Sequence, residues 1–216
     1  PSRNDWTLRA TSVSESDFYD VEDAFIDNDG YIAAVCEEGL LVFLNPSPQA
    51  DQEFLLGSNH PLKDRFESGA SAVSTDNAMY ITGRDKEWSG GLLIGDYYYH
   101  TEIIRMTDLT NPSDFEWDYT LDGIGRFSPG VAVYNGRLYL FGGGSADDDD
   151  GDTSVKSFSW DNQGNSEGAL THTPMLHGGT GLDALVIGDT VYVYGTDSGT
   201  KIEAYLPEDD PGEPEP

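Results

Sequence analysis

Lysine is scarce in this chain and cysteine nearly absent: its 216 residues hold 11 Lys+Arg, of which only Lys63, Lys86, Lys156 and Lys201 are lysines, and 1 Cys. Cys36 alone cannot form an intrachain disulfide, and no Cys/His run has the spacing of a zinc site. Its setting, Ala33-Ala-Val-Cys36, predicts a buried thiol. No apolar run approaches the roughly 20 residues of a membrane-spanning helix, so membrane insertion is not expected. Without a basic stripe there is nothing to neutralise a phosphate backbone, and nucleic acid is an equally poor partner. The start, Pro1-Ser-Arg-Asn-Asp-Trp6, lacks the apolar core of a signal peptide. The chain is expected either to bypass that export route or to have lost a leader. Catalytic motifs are missing too: there is no G-x-S-x-G, H-E-x-x-H, C-x-x-C or phosphate-cradling glycine loop. His60, His100, His172 and His177 are scattered, and no i, i+4 spacing joins two of them. A pair of carboxylates would suffice for glycoside hydrolysis, but none stands out, so the expectation is a protein that is not an enzyme.

What the chain has in excess is acid. Asp+Glu number 40, the formal net charge is -29, and the acids are spread along the whole length. Disordered acidic tails lack aromatics, whereas this chain holds 12 Tyr, 9 Phe and 4 Trp, enough to bury a core. In molar salt the Debye length falls to about 3 Å and such self-repulsion is screened. Acid excess with lysine scarcity resembles the proteins of haloarchaea and of their viruses. That resemblance implies a hypersaline setting: a virion or an extracellular surface, with the haloarchaeal cytoplasm as the alternative.

A short pattern recurs: a small apolar strand, a turn, a Tyr-bearing apolar strand, then Gly. It reads Gly69-Ala-Ser-Ala-Val to Met79-Tyr-Ile-Thr-Gly83, Gly130-Val-Ala-Val-Tyr-Asn-Gly-Arg-Leu-Tyr-Leu-Phe-Gly142, and Leu182-Asp-Ala-Leu-Val to Val191-Tyr-Val-Tyr-Gly195. Tyr80, Tyr139 and Tyr192 lie roughly 50–60 residues apart, a period of repeat architectures. Each unit is two period-2 strands that cannot bury their own faces, so repetition must supply the core. An Arg precedes two of the strands, in Arg65-Phe-Glu-Ser-Gly69 and Arg126-Phe-Ser-Pro-Gly130, and Trp117 sits in a further strand. With the Tyr139-Leu-Phe-Gly-Gly-Gly144 run, these residues resemble a kelch-type β-propeller. The resemblance implies an all-β fold of four blades over residues 1–207, the last completed by an N-terminal strand around Asp5-Trp-Thr-Leu8. Residues 208–216 form a Pro/acid-rich tail, read as a linker or as an arm that docks on a partner.

Propeller ligands bind on the face built by blade connections and by the loops between second and third strands. Two such loops are long, Arg84 to His100 and Gly144 to Asp152. Trp88, Tyr97, Tyr98, Tyr99 and His100 make the first the leading recognition candidate, because rigid aromatics give contact area at low entropic cost and stack on sugar rings. The competing reading is that alternate tyrosines pack on a neighbouring blade as a strand extension. Arg65, Arg126 and His177 would stand beside them on the same face. The arginines fit either an anion pair or a structural tie to a carboxylate such as Asp23 or Asp183. Asp148, Asp150 and Asp152 hold part of a Ca²⁺-loop spacing without its leading Asp, so no cofactor is expected, Ca²⁺ being the one alternative. The expected function is a binding or assembly module that recognises a surface glycoprotein, a glycan or a neighbouring subunit. A cellular interaction scaffold and a carbohydrate-active enzyme are the alternatives, and homo-oligomers are compatible with all three.

Overall fold

A computed structural model describes residues 21–26, 32–36, 41–44, 53–55, 68–75, 78–90, 95–107, 115–121, 125–144, 151–161 and 166–214. The protein is all-β. Among the described residues four antiparallel sheets follow one another along the chain, and none closes into a barrel. The first comprises β1 (Val21–Ile26), β2 (Ile32–Cys36), β3 (Leu41–Leu44) and β4 (Glu53–Leu55). The second comprises β5 (Ser68–Ser74), β6 (Met79–Gly90), β7 (Gly95–Met106) and β8 (Phe115–Leu121). The third holds β9 (Gly130–Tyr134), β10 (Arg137–Phe141), β11 (Val155–Trp160) and β12 (Ser166–His172). The fourth has three strands, β13 (Asp183–Ile187), β14 (Thr190–Gly195) and β15 (Lys201–Tyr205). The proposed N-terminal strand at residues 5–8, the Asp27 to Gly30 turn and Arg65 lie outside the described residues.

Local sequence dictates the hairpins. Asn135 and Gly136 adopt φ 49 and φ 76 between Tyr134 and Arg137, which are paired directly. Asn-Gly tolerates these left-handed angles, so the two-residue turn matches the strand twist. In the third sheet successive side chains serve opposite neighbours. Val131, Leu138, Leu140 and Phe158 pack with Tyr80 and Ile103 of the second sheet. Ala132, Tyr139, Phe141 and Val155 pack with Leu182, Val191 and Val193 of the fourth. Burial on both faces explains why β9 and β10 read as nearly unbroken apolar runs. Removing Phe141 or Leu140 from water stabilises the fold by roughly 1.5–3 kcal/mol each.

The fourth sheet is half-covered. Its Val191 and Val193 are buried against the third sheet, while Leu185, Ile187, Tyr192, Tyr194 and Ile202 on the other face are exposed.

The first strands of the sheets stand side by side, β1 with β5, β5 with β9 and β9 with β13. Asp23 on β1 accepts the Ala72 amide of β5 at 2.6 Å. The charge of Asp183 on β13 in turn reaches Asp23. Backbone bonds weave the connections together where these strands begin: Ser128 to Gly69 at 2.8 Å, Leu182 to Ser128 at 3.1 Å and Gly143 to Gly179 at 3.2 Å.

The tail does not extend freely from the fourth sheet. After a 3-10 turn at Pro207–Asp209, with Pro207 buried, β16 (Glu213–Pro214) pairs with Leu170 and Thr171 on the outer edge of the third sheet. The acidic side chains make this possible. Asp210 accepts the Thr173 amide at 2.7 Å, and Glu208 accepts the Tyr134 hydroxyl at 3.0 Å. A composition expected to give a linker or a partner-dependent arm thus finds its dock on the same chain.

Candidate functional site

Most of the predicted site residues lie near the end where the first strands begin. On the second sheet, β6 and β7 run past both of their neighbours. The last partner on β5 is Ser68, opposite Arg84, and the last on β8 is Leu121, opposite Thr101. Beyond these, six further pairs join β6 only to β7, from Asp85 opposite His100 to Gly90 opposite Gly95. The expected loop between Arg84 and His100 is therefore a two-stranded ribbon, about 20 Å long at strand rise. Its interior sequence, with Trp88, Tyr97, Tyr98 and Tyr99, has the aromatic content that favours strands. That signal was present in the sequence, but the Gly-Gly pair and the charged residues around it gave it the look of a loop. Trp88 stands directly opposite Tyr97, Glu87 opposite Tyr98 and Lys86 opposite Tyr99.

Tyr99, at the root of the ribbon, is packed in. The Arg84 guanidinium lies 4.8 Å from the Tyr99 ring centroid and 5.4 Å from that of Phe127. Gly125 passes so close that a Cβ there would come within 2.5 Å of the Tyr99 Cβ. A cation is thus held between the Tyr99 and Phe127 rings.

Arg126 is buried. It has no exposed surface, and its guanidinium donates to the Gly142 carbonyl and to Ser154 Oγ, with Asp152 Oδ2 at 3.4 Å. Its amide donates to Thr101 Oγ1 at 2.9 Å. The expected structural tie is real, but its carboxylate is Asp152 rather than Asp23 or Asp183. Those two instead accept the amides of Ala24 and Ala184, each at 2.7 Å. Arg126 is thus a fastener between the second and third sheets and not an anion-binding group.

Asp152 belongs to the partial calcium-loop spacing of the sequence. Burial alone would raise its pKa, yet Ser154 hydroxyl and amide donors and the Arg126 charge bring it below the ordinary value. A carboxylate already held by a guanidinium is a poor ligand for Ca²⁺. Asp148 and Asp150 lie outside the described residues.

His177 keeps partial exposure on the fourth sheet. Its Nδ1 lies 3.0 Å from Glu203 Oε1 and its Nε2 2.7 Å from Lys201 Nζ. Lys201 in turn pairs with Asp197 at 2.8 Å, on the single helical turn Thr196–Gly199, and lowers the Asp197 pKa. Next to this cluster a cleft of about 430 Å³ opens between the third and fourth sheets, lined by Val155, Met175, Leu176, Ile202, Glu203 and Tyr205.

One grouping escaped sequence reading. His100 sits between two carboxylates, with Nε2 3.3 Å from Glu102 Oε1 and 3.5 Å from Asp85 Oδ2. His100 and Glu102 are buried, and Asp85 lies at the partly exposed rim. The ladder makes the cluster: Asp85 is opposite His100, while Glu102, two residues along β7, is opposite Gly83. Its signal was the alternation His100-x-Glu102, legible only once the partner strand and its register are known.

No protein-family model matches this chain, and no curated protein does so.

Proposed function

We propose that the four sheets are the blades of a small propeller and that the protein is a non-enzymatic binding or assembly module working in high salt. In this reading a strand near residues 5–8 lies beside β15, and the first sheet meets the apolar face of the fourth. The approach of Asp23 to Asp183, together with side-by-side first strands, supports such a ring.

The observation that carries the functional part is the ribbon. Six ladder pairs extend past both flanking strands, and among the described residues no strand of their own sheet flanks them. A two-stranded ribbon adds little to a core, and strand edges without a partner in their own sheet are ready templates for contact with another chain. Its aromatic content suits a protein or glycan surface. With a net charge of -29, the natural setting is a hypersaline surface, such as that of a haloarchaeal virus particle or of its host cell. The partners that fit are a surface glycoprotein, a glycan or a neighbouring subunit.

The experiment is a glycan-array and host-surface binding assay in molar KCl, comparing the wild type with Trp88→Ala and Tyr98→Ala. Salt-stable binding lost in both variants is the expected result. Folded wild type that binds neither surface would leave recognition by the ribbon without support. Mass spectrometry of purified virions addresses the particle separately, and consistent absence of the chain would remove that setting.

A further inference from the structure

We propose that Asp85, His100 and Glu102 bind a divalent transition-metal ion of the zinc class at the root of the ribbon. The three side chains each offer one ligand atom, and these atoms all lie within 4.8 Å of one another. A tetrahedral ion with bonds of about 2.0–2.1 Å has its ligands about 3.3 Å apart. The separations from His100 Nε2, 3.3 Å to Glu102 and 3.5 Å to Asp85, are close to that edge, and the two carboxylates lie within 4.8 Å of each other, so a small shift of the rim Asp85 would complete the geometry. The donor set selects the ion. An imidazole nitrogen suits Zn²⁺ and its neighbours over Ca²⁺ or Mg²⁺, which prefer oxygen alone, and the absence of thiolate disfavours the softest ions.

Placement argues in the same direction. Glu102 and His100 are 2% and 8% exposed, so the first carboxylate and the imidazole are held almost without water. Gly83, opposite Glu102, presents no side chain to crowd the carboxylate. The Asp85–His100 pair is the first one beyond the flanking strands, so an ion there would clamp β6 to β7 where the ribbon leaves the sheet. Three protein ligands leave a coordination position for water or for a donor atom of a bound partner.

The test uses the full chain, stripped with chelator and held in molar KCl, with Zn²⁺ alone titrated calorimetrically and Co²⁺ as a spectroscopic stand-in. One ion per chain is expected, with a rise in melting temperature and intense visible bands of low-coordinate Co²⁺. His100→Ala and Glu102→Gln should each weaken uptake at least about tenfold, whereas His177→Ala should leave it unchanged. Circular dichroism checks each variant, and where a buried substitution unfolds the chain, Asp85→Asn at the rim decides. Wild type that takes up no stoichiometric Zn²⁺, a preference for Ca²⁺, or uptake unchanged in His100→Ala or Asp85→Asn would each overturn the assignment.

Discussion

Ser157 Oγ lies 2.7 Å from Nε2 of His172. The other ring nitrogen, Nδ1, is 3.1 Å from the carbonyl oxygen of Asp210, which can only accept, so Nδ1 carries the proton and Nε2 receives the Ser157 hydroxyl. With Asp210 Oδ1 3.6 Å from Nδ1, the three side-chain types are those of a nucleophile, a base and an acid. Burial decides their role. Ser157 has no exposed surface, and its Oγ also takes a hydrogen bond from Arg137 Nε at 3.2 Å, so no substrate carbonyl can reach it. The chain of contacts fastens the tail to β11 and β12.

That fastening should respond to pH. Burial outweighs the nearby Asp210 charge and holds the His172 pKa below its ordinary value. The folded protein therefore binds fewer protons at this site than the unfolded chain. The contribution is complete above about pH 6.5 and is lost as pH falls below it. Burial alone would raise Asp210, but Thr173 donors bring its pKa below the ordinary value, so at lower pH it acts in the same direction. Melting curves between pH 7.5 and 5 should slope less in His172→Gln than in wild type. Equal slopes would exclude His172 as the responsible group.

Arg126 should be among the least replaceable side chains. It is fully buried and joins Gly142, Ser154 and Asp152. Arg126→Gln removes the guanidinium from Asp152, Ser154 and the Gly142 carbonyl, leaves Asp152 only its Ser154 donors, and is expected to cost about 3 kcal/mol. Arg126→Lys should recover only part of this, because an ammonium cannot fork between the same acceptors. Denaturant midpoints in molar KCl measure both, and a midpoint unchanged in Arg126→Gln would refute the fastening role.

Two glycines with similar backbones should differ sharply. Gly151 has φ +75, and a Cβ there would fall 2.4 Å from the Gly179 amide nitrogen. Gly188 has φ +62 and open space around it. Gly188→Ala should cost only the roughly 1–2 kcal/mol of a left-handed residue. Gly151→Ala adds a backbone collision and should cost clearly more in the same unfolding assay.

Salt should relieve the repulsion between Asp23 and Asp183. Asp23 has its pKa raised, first by burial and further by Asp183, against the amide donors of Ala72 and Ala24 that lower it. A raised carboxylate is stabilised by acidification, opposite in sign to His172. Screening relieves the Asp23–Asp183 repulsion without protonation. Melting temperature should climb from dilute buffer to molar KCl, and Asp183→Asn should flatten part of that climb. An identical salt response in the variant would locate the effect elsewhere in the acidic surface.

Sequence made the all-β class and the hairpins legible, because Tyr134-Asn-Gly-Arg137 and the apolar alternation around it are local signals. Long-range facts were not. The tail's Asp210 meets Thr173 only through the fold, and the Arg126 partner could be narrowed to a carboxylate but not to Asp152. The candidate site was half legible. Trp88 to His100 stood out by composition and a strand extension was one of its two readings, but nothing local in the sequence sets the register that places Asp85 opposite His100. Burial of Arg126 was likewise invisible, since a repeated Arg reads alike whether it faces solvent or fills a core.

The tail crosses from the last strand of the fourth sheet to the edge of the third. A pull on the C-terminus would load the short β16 pairing one bond at a time, like a zipper opened from its end. The Asp210 contacts would then bear the force before β15 felt any. The chain thus carries a weak mechanical fuse in series with a strong core.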